Sequence, residues 1–285
     1  MAGGEATVWA ETGVLLRLAI PSSLANMTLG VSFCVVLMIS QFGTDAIAGA
    51  GLGLMWVNIT AQSLFVGSQF GLGALSAQAF GARNHRRVGL LLQRQLLMNW
   101  VLCVPIACIW FWTEELLLAL GQPPRVSAFA GQFVRWQLPG LPFMPVWMGL
   151  MTFLRSQGLV RLPMVVSLVN GALGLLLCYG MTRETALGFA GAPLSTSAIH
   201  FAQAATLRYL TPRALAHPTW IQWEREGLHG WCELITIGLG NSIGLWAEWC
   251  VAQPAFCRRA ASSTCLASCM RQLTHFTRCI GLLLV

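Results

Sequence analysis

The chain has 285 residues, of which 56% are hydrophobic and 9% charged, with a net charge of +7. A soluble domain usually carries about 25% charged residues, so too few ionic groups are present to cover a water-facing surface, and helices facing hydrocarbon are the consistent alternative. All 17 basic residues are Arg; with no soluble face to carry a basic stripe, nucleic acid is a poor partner, and Arg excess instead marks cytoplasmic loops of a membrane protein.

Residues 1–17 hold no basic group before Arg17 and include Glu5, unlike a secretory signal. The apolar run from Leu18 to Phe42 has 25 residues and no charge, against ~7–15 for a signal core. Seven spans follow from such runs: 18–41, 46–76, 95–113, 133–153, 162–181, 187–207 and 234–250. Each approaches or exceeds the ~20 residues that a helix needs to cross a bilayer. Glycines inside them (Gly49, Gly51, Gly53, Gly71, Gly73, Gly171, Gly174) let membrane helices approach closely.

Arg placement sets the expected orientation. With a cytosolic N-terminus, the inner side holds Arg17, Arg83, Arg86, Arg87, Arg94, Arg155, Arg161, Arg208, Arg213 and Arg225, and the outer side Arg125, Arg135 and Arg183. That asymmetry is the positive-inside pattern. The expected organisation is therefore a cytosolic segment 1–17, a six-helix bundle 18–207, a cytosolic loop 208–233, a partial seventh helix 234–250 and a tail 251–285. The loop carries Pro212, Pro218 and Glu224–Arg225–Glu226, with Trp220, Trp223 and Trp231 suited to the headgroup level. The tail changes character: it holds four Arg, no acid, and a longest charge-free run before its final turn of 11 residues, Ala260 to Met270. It reads as an out-of-frame or alternatively spliced end.

Polar residues inside spans are costly and therefore functional candidates. Asn58, Gln62 and Gln69 stand at i, i+4 and i+11, which at ~100° per residue falls within about 40° of one helix face. They would form one wall of a substrate cavity, or else hydrogen bonds between helices. Glu248 is one of two acids in 231–250, the other being Glu233 near the inner end. A carboxyl in a low-dielectric site holds its proton more firmly than one in water. When ionised, it attracts an organic cation. One such site binds a proton or a cation but not both, which is the physical core of antiport. The competing reading is a solvated Glu248 at a span end. Asn26–Thr28 and Asn58–Thr60 fit a glycosylation pattern but lie within spans, and no catalytic or metal-binding constellation stands out.

Five blocks resemble the multidrug and toxic compound extrusion (MATE) family. They are Arg17-Leu18-Ala19-Ile20-Pro21; Ala77-Gln78-Ala79-Phe80-Gly81-Ala82-Arg83 with Gly89 to Gln93-Arg94; Phe153-Leu154-Arg155-Ser156-Gln157-Gly158 running to Pro163; Gly188 to Leu194; and Leu245-Trp246-Ala247-Glu248-Trp249, similar to the family's "EWW". They occur in family order across about 11–249. The resemblance implies an all-α integral membrane protein: a six-helix N-terminal lobe of a twelve-helix transporter, plus a partial seventh helix. Such lobes rock to alternate access. It also implies export of organic cations, drugs or metabolites in exchange for protons or sodium, with Glu248 as the proton and cation residue.

The first span has no Asp, so the first-lobe acidic site of bacterial members is not expected. Cys250 replaces the second Trp of "EWW", and no further acid follows. The expectation is therefore a truncated antiporter chain that does not transport unaided, sited in the plasma membrane or a vacuolar or vesicular membrane. Its implied partners are protons, small organic cations, the lipid bilayer, and a second lobe or full-length homologue; no enzyme activity, cofactor or metal is implied. The alternative is a non-transporting membrane fragment associated with a full-length relative.

Overall fold

The computed structural model describes residues 35, 38–184, 187–215, 218–220 and 223–245. Among them every regular element is helical and no strand occurs. Helix α1 covers Thr44–Gly81. Helix α2 covers His85–Phe111, α3 Thr113–Ala119, α4 Pro124–Arg135, α5 Met144–Ser156, α6 Arg161–Arg183 and α7 Gly191–Ala214. A last helix, α8, covers Cys232–Leu245. Of the expected first span, only residue 35 and residues from 38 onward are described.

Helices α1, α2 and α6 are long and apolar enough to cross a membrane. At 1.5 Å per residue, α1 is about 57 Å long, well beyond ~30 Å of hydrocarbon. Its end therefore projects, and Ala77 and Gln78 are exposed there. One face of α6 presents Val165, Leu168, Val169, Leu173, Leu176 and Leu177 outward. That contiguous aliphatic strip suits lipid contact and would be a liability in water.

Two expected spans need correction. The third was placed at 95–113, yet α2 begins at His85. Asn84 makes this early start by capping it: its side-chain oxygen accepts from the Arg87 N–H at 3.1 Å. The chain reverses between α1 and α2 through Arg83, whose φ is +56°. The fourth span, 133–153, is not one helix. It divides into the end of α4, a 3-10 turn over Leu138–Phe143 and the body of α5. Pro139 and Pro142 cannot donate to an α-helical ladder, and each disfavours α-helical geometry at the residue before it, so the chain takes a 3-10 turn here. The loop expected from 208 is also shorter, because α7 continues to Ala214 and carries Arg208 and Arg213 on its last turns.

Small residues set the close contacts. A methyl group added at Gly49 would stand 2.4 Å from the Phe129 Cβ on α4, and one at Gly53 would stand 3.2 Å from the Ala130 carbonyl oxygen. The two glycines are four apart and let α1 lie against α4 almost backbone to backbone. Gly51, between them, faces open space. Gly49→Leu is expected to lower stability by roughly 1–3 kcal/mol through overpacking. Gly51→Ala should stay within about 0.5 kcal/mol. Thermal unfolding of the purified protein in one detergent compares the two.

Candidate functional site

Midway along α1 the backbone widens into a π turn over Asn58–Gln62. The carbonyls loosened there find side-chain partners. Ser63 Oγ donates to the Asn58 oxygen at 2.7 Å, and Thr60 Oγ1 donates to the Trp56 oxygen at 2.6 Å. Trp110 Nε1 on α2 donates to Thr60 Oγ1 at 2.8 Å and fastens the turn to its neighbour. π turns inside α-helices cluster at functional sites.

The expected polar face of Asn58, Gln62 and Gln69 straddles this turn: Asn58 and Gln62 are its first and last residues, and Gln69 lies seven residues beyond it. All three side chains are half-buried. Gln69 Oε1 accepts from Thr152 Oγ1 on α5 at 2.8 Å, so this residue joins two helices.

The most deeply buried polar cluster lies beside that face. Gln95 and Asn99 on α2 are 0% exposed and Ser68 on α1 is 3% exposed. Asn99 Nδ2 donates to Ser68 Oγ at 3.0 Å, Gln95 Nε2 donates to it at 3.4 Å, and Ser68 Oγ donates to the Phe65 oxygen at 2.8 Å. Among the described residues, Gln95 Oε1 and Asn99 Oδ1 have no hydrogen-bond partner. The sequence signal for this cluster was two amides four residues apart within the apolar run of the third span. The same residues hold no group of three or more His, Cys, Asp or Glu fit to bind a metal.

Helix α8 crosses α1 at the level of this cluster. A methyl group at Gly67 would stand 2.6 Å from the Ser242 Cα, and one at Gly238 would stand 3.2 Å from the Ser68 Cα. A methyl group at Gly71 would stand 3.3 Å from the Leu234 oxygen. Both helices therefore meet through small residues four apart, Gly67 and Gly71 against Gly238 and Ser242. The Ser242 hydroxyl donates to the Gly238 oxygen at 2.8 Å, so it enters the crossing already satisfied. Glu248 lies outside the described residues. Glu233, at the start of α8, accepts from Arg87 through both oxygens at 3.0 Å.

The segment between α7 and α8 is tied to the first turns of α2. Arg86 bonds Glu224, and also Glu226 at 2.9 Å. The Glu224 N–H donates to Gln93 Oε1 at 3.2 Å, and Arg94 donates to the Glu226 carbonyl at 3.4 Å. Gly230, at φ +77°, leaves room for the Arg94 guanidinium; a methyl group there would stand 3.2 Å from Arg94 Cζ. The Arg86 hydrogen bond, and then its charge, hold the Glu226 carboxyl below the usual carboxylate range. Under this segment, between α2, α5 and α7, lies a cavity of about 390 Å³. Leu92, Val146 and Leu150 line it together with Arg208, Trp220 and Trp223.

A family model described as MatE matches residues 21–180, more than half of the chain. Multidrug and toxin extrusion protein 1 of Danio rerio is 28% identical over 237 residues, covering 82% of this chain and 40% of that protein. Protein DETOXIFICATION 12 of Arabidopsis thaliana is 31% identical over 162 residues, or 57% of this chain and 34% of that protein. The crystal structure of the eukaryotic MATE transporter AtDTX14 superposes with a TM-score of 0.81 at 19% identity, covering 85% of this chain and 54% of that one. The chain thus spans less than half the length of these curated relatives, and the structural match shows the shared fold.

The Arg86 contacts make a direct prediction. Glu226 is depressed in the folded state, so its contribution is complete above the ordinary Glu range and fades as pH falls through the depressed value. At the mildly alkaline pH of a trypsin digest the segment is therefore fully tied. Arg86→Ala should raise the rate of cleavage after Arg225 several-fold, while Arg125→Ala, at the opposite end of the bundle, leaves it unchanged. Equal rates in wild type and Arg86→Ala would show that these ion pairs do not hold the segment.

Proposed function

The chain belongs to the MatE family, and from that premise we propose that it forms the N-terminal lobe of a secondary active antiporter exporting organic cations, drugs or metabolites in exchange for protons. The observation that carries this reading is the crossing of α8 over α1. The tightest contacts of that crossing flank Ser68, beside the buried Gln95 and Asn99 and six residues, nearly two helical turns, from Gln62. In sequence, Glu248 follows three residues after Leu245, the last described residue of α8.

On this reading Glu248 carries the exchanged charge. Protonated, it is neutral and releases the organic cation; ionised, it attracts one. Low dielectric strengthens both the attraction and the preference for a single occupant. Polar side chains of α1, with Gln62 foremost, orient the cation through hydrogen bonds and leave proton binding to the carboxyl. The Arg-rich end of the bundle faces the cytosol, following the positive-inside pattern. The names of the relatives, which specify multidrug and toxin extrusion, support the substrate class.

Proteoliposomes loaded at acidic pH, holding this lobe joined to a second lobe, test the reading by uptake of tetraethylammonium. Glu248→Gln is expected to abolish gradient-driven uptake, and Glu248→Asp to retain part of it. Gln62→Leu should raise the KM for the cation and leave the number of protons exchanged unchanged. Uptake by Glu248→Gln at the wild-type rate would contradict the assignment.

A further inference from the structure

The cavity beside α2, α5 and α7 has a chemistry that antiport does not use. Its volume of about 390 Å³ falls in the range of ligand sites, ~300–1,000 Å³. One wall is aliphatic, formed by Leu92, Val146 and Leu150. The lining also holds Arg208, its one charged side chain. Its guanidinium lies over the Trp220 ring at 4.5 Å from the centroid. No ion pair among the described residues involves Arg208. The nearest acid in sequence to this wall, Glu224, has its carboxylate bonded to Arg86. Among the described residues the cation therefore has no anion of its own.

Position narrows the ligand further. Arg208 sits near the end of α7, at the same end of the bundle as Arg83, Arg86 and Arg87. Trp223 is 56% exposed beside it and stacks on Trp100 at 6.0 Å. Exposed Trp next to Arg is the signature of the bilayer headgroup level. A lining that combines Leu92, Val146 and Leu150 with one Arg that has no ion pair among the described residues complements an amphiphile with a negative head. A guanidinium also presents paired donors matched to phosphate oxygens. Basic pockets between membrane helices take lipid headgroups in this way.

We infer that the groove between α2, α5 and α7 holds one anionic phospholipid, with its phosphate on Arg208 and an acyl chain along Leu92, Val146 and Leu150. Bound there, the lipid joins the segment between α7 and α8 to α2 and α5. This inference rests on the membrane placement of the helices and is independent of cation exchange or of Glu248.

Native mass spectrometry of the full chain tests it, after incubation with equal amounts of phosphatidylglycerol and phosphatidylcholine. Wild type is expected to retain one phosphatidylglycerol in preference to phosphatidylcholine, by on the order of fivefold, the effect of one Arg at an anionic surface. Arg208→Gln should lose that preference and Arg208→Lys keep most of it. Val146→Trp, which fills the aliphatic wall and leaves Arg208 intact, should lose the bound lipid. Equal retention of the two lipids by wild type would overturn the inference. So would unchanged phosphatidylglycerol retention in Arg208→Gln or Val146→Trp, or equal losses in Arg208→Lys and Arg208→Gln.

Discussion

Helices in hydrocarbon gain nothing from hiding apolar surface from one another, because lipid is as apolar as they are. What holds them is contact between surfaces that fit, and in this chain those surfaces lie along α1. Gly49 and Gly53 admit α4, Gly73 receives the Thr152 methyl group of α5 at what would be 3.3 Å from an added Cβ, and Gly67 and Gly71 admit α8. Three neighbours approach one helix on three sides because it lacks side chains where each arrives. A Cβ at Gly49 or Gly67 would come within 2.6 Å of the neighbouring helix, so a substitution at either displaces that helix as well as a side chain.

The same closeness decides where polar groups can lie. Ser68 shares a turn with Gly67 and Gly71, and its hydroxyl gathers Gln95 and Asn99 from α2 while bonding its own backbone. Buried amides are expensive in a low-dielectric interior unless they find partners; here Ser68 Oγ accepts from both amide nitrogens, while the two amide oxygens have no partner among the described residues. Above it, the π turn gives up regular hydrogen bonding and recovers it through Ser63, Thr60 and Trp110. The polar part of α1 is thus both the least regular portion of the helix and the part over which α8 passes. At the Arg-rich end, by contrast, ion pairs are solvated and individually weak. There the fastening depends on several contacts acting together across Arg86, Arg87, Gln93 and Arg94.

Much of this was legible in the residues, for reasons that also explain what was not. Scarcity of charge and long apolar runs identify membrane helices, and the family blocks identify the fold. Glycines four apart announce close packing but do not say which helix arrives. The break in the fourth span was written in Pro139 and Pro142, and hydropathy outweighed it because both sit among apolar neighbours. The early start of α2 was hidden by Arg86, Arg87 and Arg94, which read as loop until the Asn84 cap is seen. The π turn has no sequence signature: Asn58-Ile59-Thr60-Ala61-Gln62 fits a regular helix equally well. Gln95 and Asn99 were visible as a pair, but only their burial against Ser68 marks them as a cluster.

The central claim is that α1 is the shared spine of the fold and that α8 crosses it at Gly67 and Gly71. A Cβ at Gly71 would stand 3.7 Å from the Ile237 Cβ, within the ~3.5–4.5 Å that a disulfide requires. The most direct measurement is oxidation of the Gly71→Cys/Ile237→Cys double variant in native membranes, read as thiol loss that is reversed by reductant. This account predicts rapid, near-complete formation of that intramolecular bond, with little in either single variant. Both thiols remaining free and reactive would mean that α8 does not cross α1 there, and the placement of the exchange site beside Ser68 would fall with it.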